Sequence, residues 1–170
     1  RGVSSSDAKR LQPNSTAQEY GVANAVNSFN SDGFTLGSNN SHNRSPETYV
    51  GWAWDAGSST VTNTDGSISS QVRANPSAGF SIVSYTGNGS AATIGHGLNA
   101  APEFIIKKFR SATSSWDAFF ALLGAGKRLV LNTTDAEAST PSYQNVNSTT
   151  FDVHAGGNDN GVTMVAYCFA

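Results

Sequence analysis

The chain has 170 residues with a formal net charge of −2, and 13% of its residues are charged, about half the share of roughly 25% in average domains. Without a basic surplus, nucleic acid is not expected as a partner, since phosphate neutralisation needs Lys and Arg. No apolar stretch reaches about 18 residues, so membrane insertion is not expected either. A single cysteine excludes an internal disulfide framework and a thiolate zinc site. The apolar share of 38% comes in runs, which predicts a folded chain.

The predicted strands are short and are separated by Asn-Gly, Asp-Gly and Gly-Gly turn signals. In chain order they span residues 34–36, 48–54, 80–85, 103–109, 118–123, 128–132, 150–153 and 162–169. Because no helices alternate with them, the pattern predicts an all-β fold, an antiparallel β-sandwich of the jelly-roll or lectin-like kind. Residues 87–92 fit a loose G-x-G-x-x-A fingerprint, but no helix pattern follows. We interpret them as a hairpin turn rather than a dinucleotide site.

An internal repeat organises the chain. Residues 9–19 match 127–137 at an offset of 118, residues 31–36 match 148–153 at 117, and residues 49–54 match 164–169 at 115. Three matches in the same order predict a duplicated unit of about 117 residues. Residues 1–56 are then the later half of a first repeat, and 80–170 a second, complete repeat. Residues 57–79 are predicted as a connector, within which residues 67–72 are an alternative edge strand. The counterpart of residues 80–109 is expected before Arg1.

The repeat also predicts the environment of individual side chains. In the third match, Trp52 and Trp54 align with Tyr167 and Phe169. Residues two apart lie on the same face of a strand, so the match predicts that both tryptophans are core residues. Cys168 stands where the first repeat has an alanine. It is therefore predicted to be a small buried hydrophobe rather than a nucleophile.

No motif assigns a catalytic residue, and the protein is predicted not to be an enzyme. His42, His96 and His154 have no other His or Cys at ligand spacing, so no metal and no cofactor are predicted. A loop with Asp152, His154 and Asp159 leaves calcium as an alternative. The positions of Ser, His and Asp leave a catalytic triad open, but the G-x-S-x-G elbow that would support one is absent.

Trp116 is the candidate ligand-binding residue. It lies in a polar stretch, residues 111–117, which favours an exposed aromatic platform for stacking on a glycan ring. The alternative is that a tryptophan at the head of a strand packs against the protein itself.

Several stretches of the sequence resemble a repeat domain of virion proteins from tailed phages, particularly cyanophages and other marine phages. They are residues 9–16, 29–37, 47–54, 79–89, 94–98, 101–107 and 165–170. The resemblance implies a non-enzymatic structural role in a tail fibre or a capsid appendage, on the external surface of the virion. It implies other virion proteins as partners and a homo-oligomer, for which a trimer would suit a fibre. The alternative function is a carbohydrate-binding, lectin-like module that recognises host-surface glycans.

Overall fold

A computed structural model describes residues 9–170, and this part of the chain is almost entirely β structure. Its strands are β1 (Lys9–Arg10), β2 (Tyr20–Gly21), β3 (Val26–Phe29), β4 (Phe34–Leu36), β5 (Val61–Asn63), β6 (Ser70–Asn75), β7 (Phe80–Thr86), β8 (Ala92–Gly95), β9 (Phe104–Phe109), β10 (Asp117–Phe120), β11 (Lys127–Val130), β12 (Ala138–Ser139), β13 (Thr150–Val153) and β14 (Thr163–Phe169). Short 3-10 turns span Pro76–Ala78, Ala121–Leu123 and Ala155–Gly157. The strand ladders are antiparallel, which confirms the predicted fold class.

The chain divides into two compact units. Within the described residues, unit 1 comprises residues 9–11 and 19–53, and unit 2 comprises residues 12–18 and 54–170. Residues 57–79, which the sequence predicts as a connector, contribute β5 and β6 to the main sheet of unit 2. Residues rich in Ser, Thr and Asn occur both in edge strands and in linkers, so composition alone does not distinguish these two structures.

Unit 2 is a two-layer, sandwich-like structure. Its large sheet has eight strands in the order β12-β11-β10-β9-β14-β7-β6-β5, and its small sheet pairs β8 with β13. Strand β14 lies between β7 and β9, in register from Thr163↔Thr86 to Phe169↔Phe80 on one side. Residues 87–91 therefore carry the chain from the large sheet to the small one. The prediction of a hairpin turn there is wrong, because β7 and β8 pair with different partners.

The core of unit 2 lies between the two sheets. Met164, Ala166 and Cys168 alternate along β14 and face the small sheet, which contributes Phe151 and Val153. All five are buried, and each large apolar side chain removed from water contributes about 1.5–3 kcal/mol. The large sheet therefore has an inner face toward the small sheet and an outer face on its other side.

A row of phenylalanines crosses the outer face of the large sheet. Phe120, Phe104, Phe169 and Phe80 stand on four neighbouring strands, at centroid separations of 5.4, 5.6 and 4.9 Å. They align because the strand register places each phenylalanine directly across from the next. Trp54, which lies outside the strands, adds to the row with its ring 6.2 Å from Phe80. Cross-strand aromatic pairs such as Phe104 and Phe169 stabilise a sheet.

Unit 1 contains the strand pair β1–β2 and the hairpin β3–β4. The register of β1–β2 is Lys9↔Gly21, and that of β11–β12 in unit 2 is Lys127↔Ser139. Both residues of the second pair lie 118 positions after those of the first, which is the offset of the sequence match. The two strand pairs therefore correspond residue by residue.

The same turn also occurs in each of the two units. The backbone N–H of Asn30 donates to Gly33 O over 2.7 Å, and that of Asn147 donates to Thr150 O over 3.0 Å. These residues are 117 positions apart, again the offset of the sequence match. Strand β4 follows the first turn as β13 follows the second.

The third matching segment differs between the two copies. Residues 163–169 form β14, whereas the predicted strand at residues 48–54 is not a strand. In unit 2, β14 is held by β7 and β9, and the described residues of unit 1 include no counterpart of either strand. A segment with strand-forming residues does not form a ladder without partner strands.

Candidate functional site

Trp116 is buried, with 6% of its surface exposed, which confirms the alternative that it packs against the protein itself and contradicts an exposed stacking platform. Its indole Nε1–H donates to Gln12 O at 2.8 Å and Ser15 O at 3.1 Å. These acceptors belong to residues 12–18, which we call the strap, and they lie about a hundred positions away in the sequence. The polar neighbours of Trp116 in sequence gave no sign of this cover, because backbone carbonyls provide it.

The strap also covers Lys108 on the outer face of unit 2. The Lys108 Nζ donates to Thr16 O at 3.3 Å and to Phe109 O at 3.0 Å, and the Ser114 N–H donates to Thr16 O at 3.0 Å. Lys108 is fully buried as a result. Carbonyl dipoles rather than a carboxylate hold this ammonium group.

The inner face holds a charge cluster around a buried lysine, which we call the Lys107 cluster: Lys107, Asp117 and Arg128. Lys107 has 1% of its surface exposed, and its Nζ donates to Gly157 O at 2.7 Å. It lies 3.6 Å from Asp117 Oδ2, and Arg128 Nη1 donates to Asp117 Oδ1 at 2.6 Å. Burial lowers the pKa of Lys107, and the Asp117 carboxylate opposes that change.

Two buried tyrosines adjoin this cluster. The hydroxyls of Tyr85 and Tyr143 have no hydrogen-bond partner among the described residues. Burial raises the pKa of both phenols well above the usual value, and the Asp117 charge adds to the effect. They are therefore neutral at physiological pH. A deeply buried lysine beside neutral phenols can anchor strands, but a substrate from solvent does not reach its Nζ.

Ser142 and His154 form a close pair, with Ser142 Oγ 2.8 Å from His154 Nδ1. The backbone N–H of His154 also donates to Ser142 Oγ, at 3.0 Å. Ser142 is 2% exposed, so its hydroxyl is not accessible for attack on a substrate carbonyl. A groove of about 460 Å³ runs beside this pair, lined by residues that include Asp152, His154 and Pro141.

The calcium alternative is not supported by the positions of its residues. Asp152 Oδ1 accepts the backbone N–H of Asn145 at 2.7 Å, while His154 Nδ1 faces Ser142. Across residues 9–170, no three His, Cys, Asp or Glu side chains are grouped so that they could hold a metal ion. In the same residues, no helix is long and apolar enough to cross a membrane.

His96 and Cys168 are both fully buried in unit 2. The hydrogen bonds of His96 assign its tautomer, since Nε2 donates to Asn147 O at 3.0 Å and Nδ1 accepts from the Leu98 N–H at 3.3 Å. Burial lowers the pKa of His96 and keeps the ring neutral. Burial also raises the pKa of the Cys168 thiol to about 12, and the prediction that Cys168 is buried is confirmed.

The most exposed apolar feature of unit 1 is residues 49–53, which we call the exposed strip. Val50 is 78% exposed and Trp52 is 73% exposed, so the prediction that Trp52 is a core residue is wrong. Trp54, in unit 2, is also exposed despite its ring contacts, which contradicts the same prediction.

The exposed strip is held in place by local contacts. The Tyr49 hydroxyl accepts the Arg44 N–H at 3.0 Å and lies 3.3 Å from its own acceptor, Asn40 O. Gly51 packs so closely on Phe34 that a Cβ at this position would lie 2.9 Å from the ring. The strip therefore presents Val50 and Trp52 to solvent from a fixed backbone.

Comparison with known proteins finds a match to a protein family. Neither a curated protein nor a solved structure matches it. A family model described as a domain of unknown function, DUF7483, matches residues 3–170, almost the whole length. The protein therefore belongs to the DUF7483 family.

Proposed function

We propose that this protein is a non-enzymatic structural component of a phage virion, a repeat module of a tail fibre or of a capsid surface appendage. Its partners are other virion proteins and further copies of itself. The observation that carries the proposal is the shared register of β1–β2 and β11–β12 at the repeat offset. A duplicated β unit whose strand pairs superimpose in register is typical of proteins that build length from repeated modules.

The buried chemistry of unit 2 supports a structural role. Lys107, Ser142 and Cys168 each carry a group that could act as a nucleophile, and all three are withdrawn from solvent. Each is engaged in packing or in holding neighbouring strands. An enzyme instead presents its nucleophile or base to a cleft that admits the substrate.

The composition of the chain supports display at a particle surface. Only 13% of residues are charged, and the net charge is −2, so Ser, Thr, Asn and Gly supply much of the polar character. Neutral polar surfaces produce little long-range repulsion between densely arrayed copies and depend little on salt. The resemblance to tailed-phage virion proteins points to the same setting.

The carbohydrate-binding alternative loses the residue on which it depended. Stacking on a sugar needs an exposed ring face, and Trp116 is enclosed by the strap. No other observation in unit 2 favours a glycan over a protein partner, so we do not advance that function.

The proposal is tested on purified particles of the phage that encodes the chain. Labelled antibodies against unit 2 should decorate fibres or the capsid surface, and the protein should appear among particle proteins at a fixed copy number. Antibodies against a non-virion protein of the same phage serve as the control. Absence of the chain from washed, intact particles would overturn the proposal.

A further inference from the structure

The Lys107 cluster holds a buried amine beside a carboxyl group of the same chain. The pairing of β9 with β10 sets Lys107 directly opposite Asp117, and Lys107 Nζ lies 3.6 Å from Asp117 Oδ2. Lys107 is 1% exposed, and the centroid of the Phe109 ring lies 5.7 Å from its Nζ. A substrate from solvent does not reach this amine, so Asp117 is the electrophile that the fold brings to it.

The surroundings of Lys107 favour the neutral form of its amine. Removal from water lowers the pKa of Lys107, the Asp117 carboxylate acts in the opposite direction, and the Arg128 guanidinium lowers the pKa further. Burial and a neighbouring cation are two conditions that activate lysine amines as nucleophiles in proteins. Transfer of a proton from the Lys107 ammonium group to Asp117 gives an amine and a carboxylic acid, and this step needs no outside reagent.

The hydrogen bonds of the cluster match those that an amide requires. Arg128 Nη1 donates to Asp117 Oδ1 at 2.6 Å, so the oxygen that would become the amide carbonyl already has a donor. Lys107 Nζ donates to Gly157 O at 2.7 Å, so the remaining N–H of the amide already has an acceptor. Burying a polar group costs little free energy when it has such partners.

We propose that Lys107 and Asp117 are joined by an intramolecular isopeptide bond. Neutral Lys107 Nζ attacks Cγ of the protonated Asp117 carboxyl group, and the Nζ–Cγ bond forms. Arg128 stabilises the negative charge that develops on Oδ1. The Cγ–Oδ2 bond then breaks, the Oδ2 hydroxyl takes up a proton that Nζ releases, and one water molecule leaves. No oxidant, reductant or other co-reactant is consumed.

The ion pair between Lys107 and Asp117 is the state that precedes this reaction. The amide replaces two charges, one of them fully buried, by a neutral group, and keeping a buried ion away from water is costly. The Arg128 side chain is 35% exposed, so water still solvates its charge in the product. The bond links β9 to β10 covalently within one folded chain, and it is independent of the role in a virion proposed above.

A second lysine–carboxylate pair in unit 2 separates the effect of burial from that of proximity. Lys127 Nζ lies 3.2 Å from Glu137 Oε1, closer than the two atoms of the Lys107 pair, but both side chains are at least a third exposed. Water stabilises the two charged groups there, so no amide is expected. Lys108 offers a further comparison, because its Nζ donates to backbone carbonyls rather than to a carboxylate.

The test is the intact mass of the purified full chain, measured after denaturation. We expect the parent to be lighter than its sequence by the mass of one water molecule. In a tryptic digest, residues 74–108 should remain joined to residues 111–127, because trypsin does not cleave after an acylated lysine. Lys127 and Glu137 should not be cross-linked in the same digest.

Variants of the full chain identify the bond. Lys107→Met and Asp117→Ala should each have the full mass of their sequences. Aspartyl-glycine steps also lose water when they form a succinimide, and both variants keep the steps at residues 32–33 and 65–66, so they distinguish the two reactions. Lys127→Gln is the matched control and should lose water as the parent does. The digest of the parent locates the bond even if neither Lys107→Met nor Asp117→Ala folds.

Two results would overturn the proposal. The folded parent could have the full mass of its sequence, with residues 74–107 released as a separate peptide. The parent could instead lose water while trypsin still cleaves after Lys107, which would place the loss elsewhere in the chain. Particle labelling and the mass of the chain are independent measurements, so this proposal and the proposed function can each fail alone.

Discussion

The two faces of the large sheet bury adjacent lysines by different means. Lys107 points to the inner face, where Asp117 and Gly157 O receive its ammonium group. Lys108 points to the outer face, where the backbone carbonyls of Thr16 and Phe109 receive it. The inner face thus depends on an ion pair formed by neighbouring strands, and the outer face depends on a strap distant in sequence. Both faces of the sheet therefore bury an ammonium group, and a different part of the chain supplies its partners on each face.

The largest expected effect comes from breaking the outer face at Trp116. Trp116→Ala should lower the free energy of unfolding by about 4 kcal/mol, since it empties a large buried site and releases the strap. Trp116→Phe keeps most of the packing and loses the two indole hydrogen bonds, so it should cost only about 1–2 kcal/mol. Urea denaturation of both variants measures the difference. Equal losses would show that hydrogen bonding to the strap, rather than packing, dominates.

The next effect comes from breaking the inner face at Asp117. Asp117→Asn leaves Lys107 buried without a carboxylate, which should lower the free energy of unfolding by about 3 kcal/mol. Lys127→Gln is the control, because its ion pair with Glu137 is solvent-exposed and should contribute under about 1 kcal/mol. If Asp117→Asn is as mild as the control, the inner face does not rely on its ion pair.

A smaller effect is expected at Cys168, in the apolar part of the inner face. Cys168→Ala should cost about 1 kcal/mol because it removes one buried atom. Cys168→Ser should cost about as much, because the buried Ser81 side chain on the paired strand can form a hydrogen bond with the new hydroxyl. In the native parent, a thiol reagent at pH 8 should label Cys168 only as fast as the chain opens. Rapid labelling without denaturant would contradict the burial.

The smallest effect is a pH dependence centred on His96. Because burial lowers the pKa of His96 in the folded state, the unfolded state takes up a proton first as the pH falls. Its contribution to stability is complete above a pH of about 6.5 and is lost as the pH decreases towards the folded pKa. His96→Gln should flatten the fall in unfolding free energy between pH 7.5 and 5.5, as measured by urea denaturation at each pH. An unchanged slope in His96→Gln would assign the dependence to another group.

These residues show what the sequence could and could not predict. Alternation and turn signals predicted β7, β9, β10, β11, β13 and β14 of unit 2 but not β5, β8 or β12. The repeat predicted the burial of Cys168 because that residue keeps its strand partners. The same repeat placed Trp52 in a core, and that prediction is wrong, because no strand among the described residues of unit 1 pairs with residues 49–53 as β7 and β9 pair with β14. For Trp116 the sequence left packing and exposure as alternatives, since the strap that covers it is specified by backbone carbonyls rather than by a side-chain pattern.

The Lys107 cluster was also beyond prediction. Residues 107 and 117 are separated by a loop whose length does not determine the register, and only the pairing of β9 with β10 sets them opposite each other. A lysine within an apolar run such as residues 104–109 gives no sign of its partner. Pairing register, rather than composition, is the physical information that a single sequence lacks.

The position of β14 has a consequence for how unit 2 reaches its native state. Both strands that flank it are synthesised long before it, since β7 ends at Thr86 and β9 ends at Phe109. Until β14 has left the ribosome, nothing joins the strand group β9–β12 to the strand group β5–β7. Strands β9 and β7 are then edge strands without the partner that they have in the native sheet. Folding should therefore be slow and dominated by long-range contacts, and chaperones that shield strand edges should raise the yield of the native chain.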